Sequence, residues 1–415
     1  MVRVRKHKSD RIILYAILTL MAIGLVIIYA IGPMRANLLN SAYGMSYESD
    51  YFFKHHLLSV GIALAVFFAA FKLFPYEKLH NIAKPLMIVA LLASVGLWFL
   101  AEIHSPLAIC ELGACRWLRI GGSSFQPAEL LKLGLVIYLA DFIATKKQEG
   151  TIGKVKDFWV PIVTVWGLSL FLVIVKQSDL GTGLAIIAIV LGVLLISGIS
   201  LKQYLAALAV VGLAGVAVIV SSPYRLQRVF TFVGTGDNDS SYHVENAMMA
   251  IGTGGLTGVG IGNSVQATGY LPESINDSVF AILGETFGFV GLLVILGIFA
   301  VIMHRILKVS EMSADLEARL IAVGMFAWMA MHVVANIMSM TGLIPVTGVT
   351  LPLLSYGGTS MMFISAGLGL VMQLSCYTER EVIKNEDISS RRGLGGTHYA
   401  SRRGGTRDSR NQNTR

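Results

Sequence analysis

Ionisable side chains are scarce in this chain, and the few that interrupt or border its apolar runs are placed where they could do chemistry. The first lies in Leu271-Pro272-Glu273-Ser274-Ile275-Asn276-Asp277-Ser278. Asp277 meets the start of an apolar stretch, and Glu285 follows two turns further in. A carboxylate in a cleft open to both lipid and water could take a proton from a hydroxyl as a general base. The alternative is that Asp277 or Ser278 caps the helix that follows. The second lies in Phe125-Gln126-Pro127-Ala128-Glu129-Leu130-Leu131-Lys132. Pro127 suits a first helical turn, and the i,i+3 spacing puts Glu129 and Lys132 on one face with Gln126. That pair is either a structural ion pair turned into a helix bundle or part of a polar cavity that touches substrate. A proton relay is a third option.

Asp179 precedes Leu180-Gly181-Thr182-Gly183. Capping is its default role, because a carboxylate is stabilised by the free N–H groups and dipole of a helix start. Arg225 and Arg228 are again i,i+3. Two guanidinium groups on one face can clamp a pyrophosphate, and snorkelling to a membrane surface is the alternative. The glycine-rich run 252–262 has no register matching G-x-G-x-x-G and no Walker lysine, so close-packed or flexible backbone is the better reading. There is no Cys/His metal cluster and no Gly-x-Ser-x-Gly elbow. Cys110 and Cys115 share one loop, where they form either a short disulfide or two free thiols. Cys376 lies at the other membrane boundary.

The elements that must position these groups follow from composition. Of 415 residues, 54% are hydrophobic and only 14% charged, against roughly a quarter charged in a soluble domain. That excludes a single soluble globule and a mainly disordered chain. Ten apolar segments are long enough to cross a bilayer, near 11–32, 56–74, 83–103, 127–144, 158–175, 180–197, 204–222, 278–303, 320–340 and 349–375. Each crossing needs about 20 residues, and in lipid these must be helices. The expected fold is therefore an all-α polytopic membrane protein. With the N-terminus inside, 25 of the 33 Lys and Arg fall on inner segments, seven on outer ones, and Lys132 within a span. The asymmetry places both termini in the cytoplasm. It also explains the net charge of +8 without nucleic acid. Residues 1–10 read as a cytoplasmic segment and 11–376 as the membrane domain. Residues 377–415 read as a disordered basic tail. One outer loop, 223–277 between the seventh and eighth spans, is far longer than the others and carries amphipathic pieces near 224–232 and 244–251.

Together these segments resemble the SEDS family (shape, elongation, division and sporulation), the bacterial cell-wall polymerases that include FtsW and RodA. The resemblance rests on Gly113-Ala114-Cys115-Arg116-Trp117, the run 125–132, Gln177-Ser178-Asp179-Leu180-Gly181-Thr182, and residues 250–262 and 270–288. It continues in 342–360, with Leu351-Pro352-Leu353-Leu354-Ser355-Tyr356-Gly357-Gly358. It extends over 11–376, and the basic tail and overall length look more like FtsW than RodA. Two departures stand out. The family's His-Thr-Asp-Phe-like sequence reads Ile275-Asn276-Asp277-Ser278 here, and its Tyr-Gln-x-x-Gln reads Tyr242-His243-Val244-Glu245-Asn246.

The resemblance implies a peptidoglycan glycosyltransferase of the cytoplasmic membrane that polymerises lipid II at the outer face. It would release undecaprenyl pyrophosphate and work with a class B penicillin-binding transpeptidase and other divisome or elongasome membrane proteins. The family's essential loop aspartate falls on Asp277, and its buried pair falls on Glu129 and Lys132. Gln126, Arg116, Arg225, Arg228, Asp179, Glu273 and Ser355 are further substrate-binding candidates. An α-linked donor giving a β-linked glycan means inversion, so one base and a set of cations suffice. A divalent cation, Mg or Mn, is the one cofactor this chemistry leaves open, and no motif establishes it. A lipid-precursor flippase or transporter would share the ten spans and the buried charges. It would be expected to bind near the midplane between internal repeats, and none is evident. A catalytically silent scaffold for the transpeptidase is the third reading.

Overall fold

Long aliphatic runs without internal breakers set the helices, and polar caps set their ends. The computed structural model describes residues 8–111, 114–121, 123–221, 226 and 238–378. Its first helices are α1 (Arg11–Tyr43), α2 (Tyr51–Lys72) and α3 (Leu79–Glu102). A small sheet of β1 (Ala108–Glu111), β2 (Ala114–Ile120) and β3 (Ser123–Phe125) follows. Next come α4 (Pro127–Gln148), α5 (Val155–Lys176), α6 (Leu180–Ser197) and α7 (Leu201–Val220). The chain continues through α8 (Asn238–Thr253), α9 (Val279–Met312), α10 (Leu316–Met340) and α11 (Gly358–Leu374). Asp10 caps α1 through Ile12 N, Asp179 caps α6 through Thr182 N, and Ser200 and Gln203 form a capping box on α7. Gly44 and Gly198 end α1 and α6 in the left-handed region, where a Cβ would be strained.

Among the described residues, nine helices are long and apolar enough to cross a membrane. The 22-residue α4 makes the tenth. Its charges lower its hydropathy, but Glu129, Lys132 and Asp141 are all buried. It crosses inside the bundle, packed against α3, α6, α10 and α11, and needs no lipid-compatible surface. The ten expected spans are thus all present. At the other extreme, α7 buries only Ala207. The ends of the described chain meet at one end of the bundle. Asp10 N donates to Ser375 Oγ at 2.9 Å, and Arg305 Nε lies 3.4 Å from Asp10 Oδ2.

The structure corrects several expectations. The loop after α3 adds an antiparallel sheet of order β1-β2-β3 to the expected all-α fold, and of the two states open to Cys110 and Cys115 the structure shows the disulfide. Helix α1 continues well past the apolar run to Tyr43. Its 33 residues span about 50 Å, against a hydrocarbon thickness of about 30 Å. The projecting end is held by Asn40, which donates to Tyr47 O and accepts from Tyr47 N at 2.9 and 2.8 Å. The last span begins only at Gly358, and residues 349–357 are non-helical. Pro352 removes a donor and disfavours helix at the residue before it, and Leu353 has a φ of 64°. Residues 347–355 instead form a strap through the site described next.

Candidate active site

The Glu129–Lys132 spacing places both groups on the buried face of α4. Lys132 Nζ donates to Glu129 Oε1 at 2.8 Å and lies 3.1 Å from His332 Nε2. It also sits 4.9 Å above the Trp328 ring, a cation–π distance. Lys132 is fully buried. His332 Nδ1 is 3.3 Å from Thr350 O. With Nδ1–H donating to that carbonyl, Nε2 is left as the acceptor for the ammonium. One turn along α10, Asn336 Nδ2 donates to Asp277 O at 2.6 Å and to Val349 O at 2.7 Å. The row Trp328, His332, Asn336 therefore links the buried ion pair to the backbone of Asp277, and both polar members hold the strap.

Asp277 ends a turn gripped from several sides. Within it, Asn276 N and Ser278 N donate to Glu273 O at 2.9 and 3.3 Å. Glu273 has a φ of 49°, an unusual backbone for a residue with a side chain. Its carboxylate accepts from Asn276 Nδ2 and from Arg35 of α1, the latter at 3.2 Å. Tyr356 N donates to Ile275 O at 2.8 Å. Ser278 Oγ donates to Pro272 O at 2.8 Å and lies 2.7 Å from His243 Nε2 of α8. Helices α1, α8 and α10 and the strap thus each hold the turn. The Asp277 side chain is buried, and its Oδ1 has no partner. Burial, reinforced by the charge of Glu273, pushes its pKa up to about 7. Neither Asp277 nor Ser278 caps α9 with its side chain: Ser278 occupies the cap position without a side-chain bond.

A second polar cluster sits at the start of α6. Asp179 accepts from Thr182 N and Oγ1 at 2.9 and 2.8 Å and from Gln126 Nε2 at 3.2 Å. Arg116, next to the disulfide in β2, donates to Ser178 O at 2.7 Å and to Gln177 O at 3.3 Å. The Gln177 amide is buried with both its oxygen and its nitrogen unpartnered. A Cβ on Gly181 would lie 2.5 Å from Val349 Cγ2 and 2.9 Å from Thr347 O. Only glycine lets α6 approach the strap so closely, and the Asp179 and Asp277 clusters both border it.

Of the residues singled out from sequence, Asp277, Glu273, Glu129, Lys132, Gln126, Asp179, Arg116 and Ser355 all lie in or beside this network. Ser355 Oγ accepts from Leu351 N at 2.9 Å, so its hydroxyl shapes the strap. Arg225 and Arg228 lie outside the described residues. Glu285 belongs elsewhere: its carboxylate accepts from Ser264 Oγ, Val265 N and Gln266 N. Sequence reasoning missed His332, Asn336, His243 and Arg35. The available signal was the i,i+4 pair His332 and Asn336 in an otherwise apolar helix. Among the described residues no group of three or more His, Cys, Asp or Glu side chains is gathered to hold a metal ion.

This architecture has known counterparts. The sequence matches the cell cycle protein family FtsW/RodA/SpoVE over residues 10–380. The chain belongs to that family. Stage V sporulation protein E of Bacillus subtilis is 31% identical over 379 residues, covering 90% of this chain and 99% of that protein. A protein of Tolumonas auensis named "Probable peptidoglycan glycosyltransferase FtsW" is 33% identical over 374 residues, covering 88% and 91%. A chain from a peptidoglycan synthase complex, solved for its structural coordination of polymerization and crosslinking, shares the fold. It has a TM-score of 0.69 and 24% identity over 88% of this chain and 97% of that one. Asn276 and Ser278 flank Asp277 in the turn. Both side chains are used to hold the turn, through Glu273 and through Pro272 and His243.

Proposed function

We propose that this protein is a peptidoglycan glycosyltransferase that polymerises lipid II at the outer face of the cytoplasmic membrane. The observation that carries the reading is Asp277: a buried carboxyl with one oxygen unpartnered, fixed by its backbone, with a pKa near 7. A general base works best when its pKa lies near the working pH.

In the reaction, the acceptor 4-hydroxyl oxygen forms a bond to the donor anomeric carbon as the bond from that carbon to the lipid pyrophosphate breaks. Asp277 Oδ1 takes the hydroxyl proton, and the electron pair leaves on the pyrophosphate. Inversion needs no covalent intermediate. Arg116 supplies a cationic partner for the leaving group, and the i,i+3 sequence spacing of Arg225 and Arg228 suits the same task. Lys132 has a different task. Fully buried and bound to Glu129 and His332, it acts as a positioning residue that holds the strap beneath Asp277. The excess of basic residues on the inner segments favours a cytoplasmic location for both termini, and the meeting of Asp10 with Ser375 supports the two ends of the membrane domain lying on one side. A crosslinking transpeptidase is the partner this reading expects, in line with the complex to which the fold is similar. Asp277→Ala in purified protein is expected to abolish lipid II polymerisation while leaving membrane insertion and cooperative unfolding in place. A retained rate would remove Asp277 from the chemistry.

A further inference from the structure

Residues 246–272 lie in what the hydropathy pattern marks as a long water-facing loop, yet they contain no Asp, Glu, Lys, Arg or His. Within them, Leu256 is 70% exposed, Ile261 53% and Val259 37%. A loop in water has no reason to exclude every charge while presenting aliphatic side chains outward.

The backbone explains how such a segment tolerates a dry environment. Helix α9 is broken at Gly288, which has φ 67° and ψ −170°. The peptide groups at the break pair with the glycine-rich run. Val259 N donates to Glu285 O at 2.9 Å and Gly260 N to Thr286 O at 3.1 Å. In return Phe289 N donates to Gly255 O at 2.9 Å and Val290 N to Leu256 O at 3.1 Å. Glu285 holds the far end through Val265 N and Gln266 N. The contact is too close for side chains: a Cβ on Gly254 would lie 2.0 Å from Gly284 O, and one on Gly258 2.2 Å from Thr286 O. Non-helical backbone at membrane depth requires satisfaction of this kind.

The depth follows from α9 itself. His304, Arg305 and Lys308 mark its inner end, and about 20 residues span the hydrocarbon. Counting back from Met303 puts the outer edge of the hydrocarbon near Gly284. The paired residues 285–290 then lie just inside that edge. Phe289, Val290, Leu293 and Val294 are exposed on α9, so the aliphatic surface of the loop continues a face that meets lipid.

We propose that residues 252–262 are a re-entrant anchor seated in the acyl chains of the outer leaflet, with Leu256, Val259 and Ile261 facing lipid beside α9, the helix that follows the Asp277 turn. The anchor sets the height of the Asp277 turn relative to the outer leaflet. This inference does not depend on the glycosyltransferase reading.

The test uses single cysteines at Leu256 or Ile261, with Glu48→Cys as an exposed control, in a Cys376→Ser background that keeps the Cys110–Cys115 disulfide. Each variant is reconstituted in phosphatidylcholine vesicles with a membrane-impermeant maleimide on both sides. In parallel, bimane-labelled samples are placed in lipids brominated on the acyl chains. Leu256→Cys and Ile261→Cys are expected to react about tenfold or more slowly than Glu48→Cys, and only their bimane is expected to be quenched. Reaction at the control rate would overturn the proposal. So would slow reaction without quenching, which would mean that protein, in the form of a second copy, covers the surface. Thermal midpoints matching the parent confirm that each variant is folded.

Discussion

Replacing Asp277 with asparagine should stabilise the protein at alkaline pH while destroying its activity. In the folded state the carboxyl titrates near 7, against an ordinary value of 3.8. A raised folded pKa contributes stability that is fully present below the unfolded value and is lost as pH rises through the folded one. The window here runs from about pH 4 to about pH 7. The shift of about three units corresponds to about 4 kcal/mol at about 1.4 kcal/mol per unit. Asparagine does not titrate, so its stability relative to wild type should climb by about that amount between pH 4 and pH 8, whatever constant offset the amide brings. The assay is a thermal melt in detergent, followed by thiol reaction at the buried Cys376. The midpoint difference should widen with pH in favour of Asp277→Asn. A difference that stays flat, or that widens toward acid, would refute both the burial of the charge and the reasoning for a base tuned by burial. With Asp277 as the base, the ionised fraction is about tenfold larger at pH 8 than at pH 6 for a pKa of about 7, so the rate of proton abstraction should rise about tenfold.

Glu273→Gln removes the like charge that helps to raise the Asp277 pKa. The acid limb of the pH–rate profile should move to lower pH, and an unmoved limb would show that burial alone sets it. Lys132→Met leaves Glu129 buried and unpaired and should cost about 3–5 kcal/mol. Adding Glu129→Gln should recover part of that loss, which thermal unfolding of the single and double variants would measure. The Cys110–Cys115 disulfide closes a loop of sequence separation 5, worth about 2 kcal/mol of order in the chain-entropy treatment. Because β2 carries Arg116 onto Ser178 O, reduction should raise the KM for lipid II more than it lowers kcat, and the Cys110→Ser/Cys115→Ser variant should be insensitive to reductant.

The ten crossings were legible because lipid imposes a length and a composition on each. The charges that break those runs were legible for the same reason: a buried ion is too costly to keep without a partner or a task, and this pointed to Glu129 and Lys132. Their true environment was not legible. Whether Lys132 touches substrate or His332 depends on how α4 meets α10, a packing fact about residues 200 positions apart. Asp277 was visible as a carboxylate at a helix start, but its unpartnered burial depends on α1, α8, α10 and the strap together. The β-sheet was missed because strands of three to seven residues leave no measurable period. The late start of α11 was signalled by Pro352 and the Gly357-Gly358 pair, which the apolar run 349–375 masked. The glycines of 252–262 leave close-packed and flexible backbone equally open, and the charge-free flanks pass for ordinary loop until α9 is seen to break beside them.

Asp277 is the group proposed to drive glycan polymerisation. The most direct test is glycan chain formation from purified lipid II by the purified protein, with and without its transpeptidase partner, comparing wild type with Asp277→Asn. Polymer is expected from wild type, alone or with the partner, and none from an asparagine variant that melts no lower than wild type at pH 8. Polymer from the variant at a wild-type rate would contradict the role of Asp277. Absence of polymer from wild type even with the partner and divalent cations present would contradict the glycosyltransferase reading itself, in favour of a flippase or a scaffold.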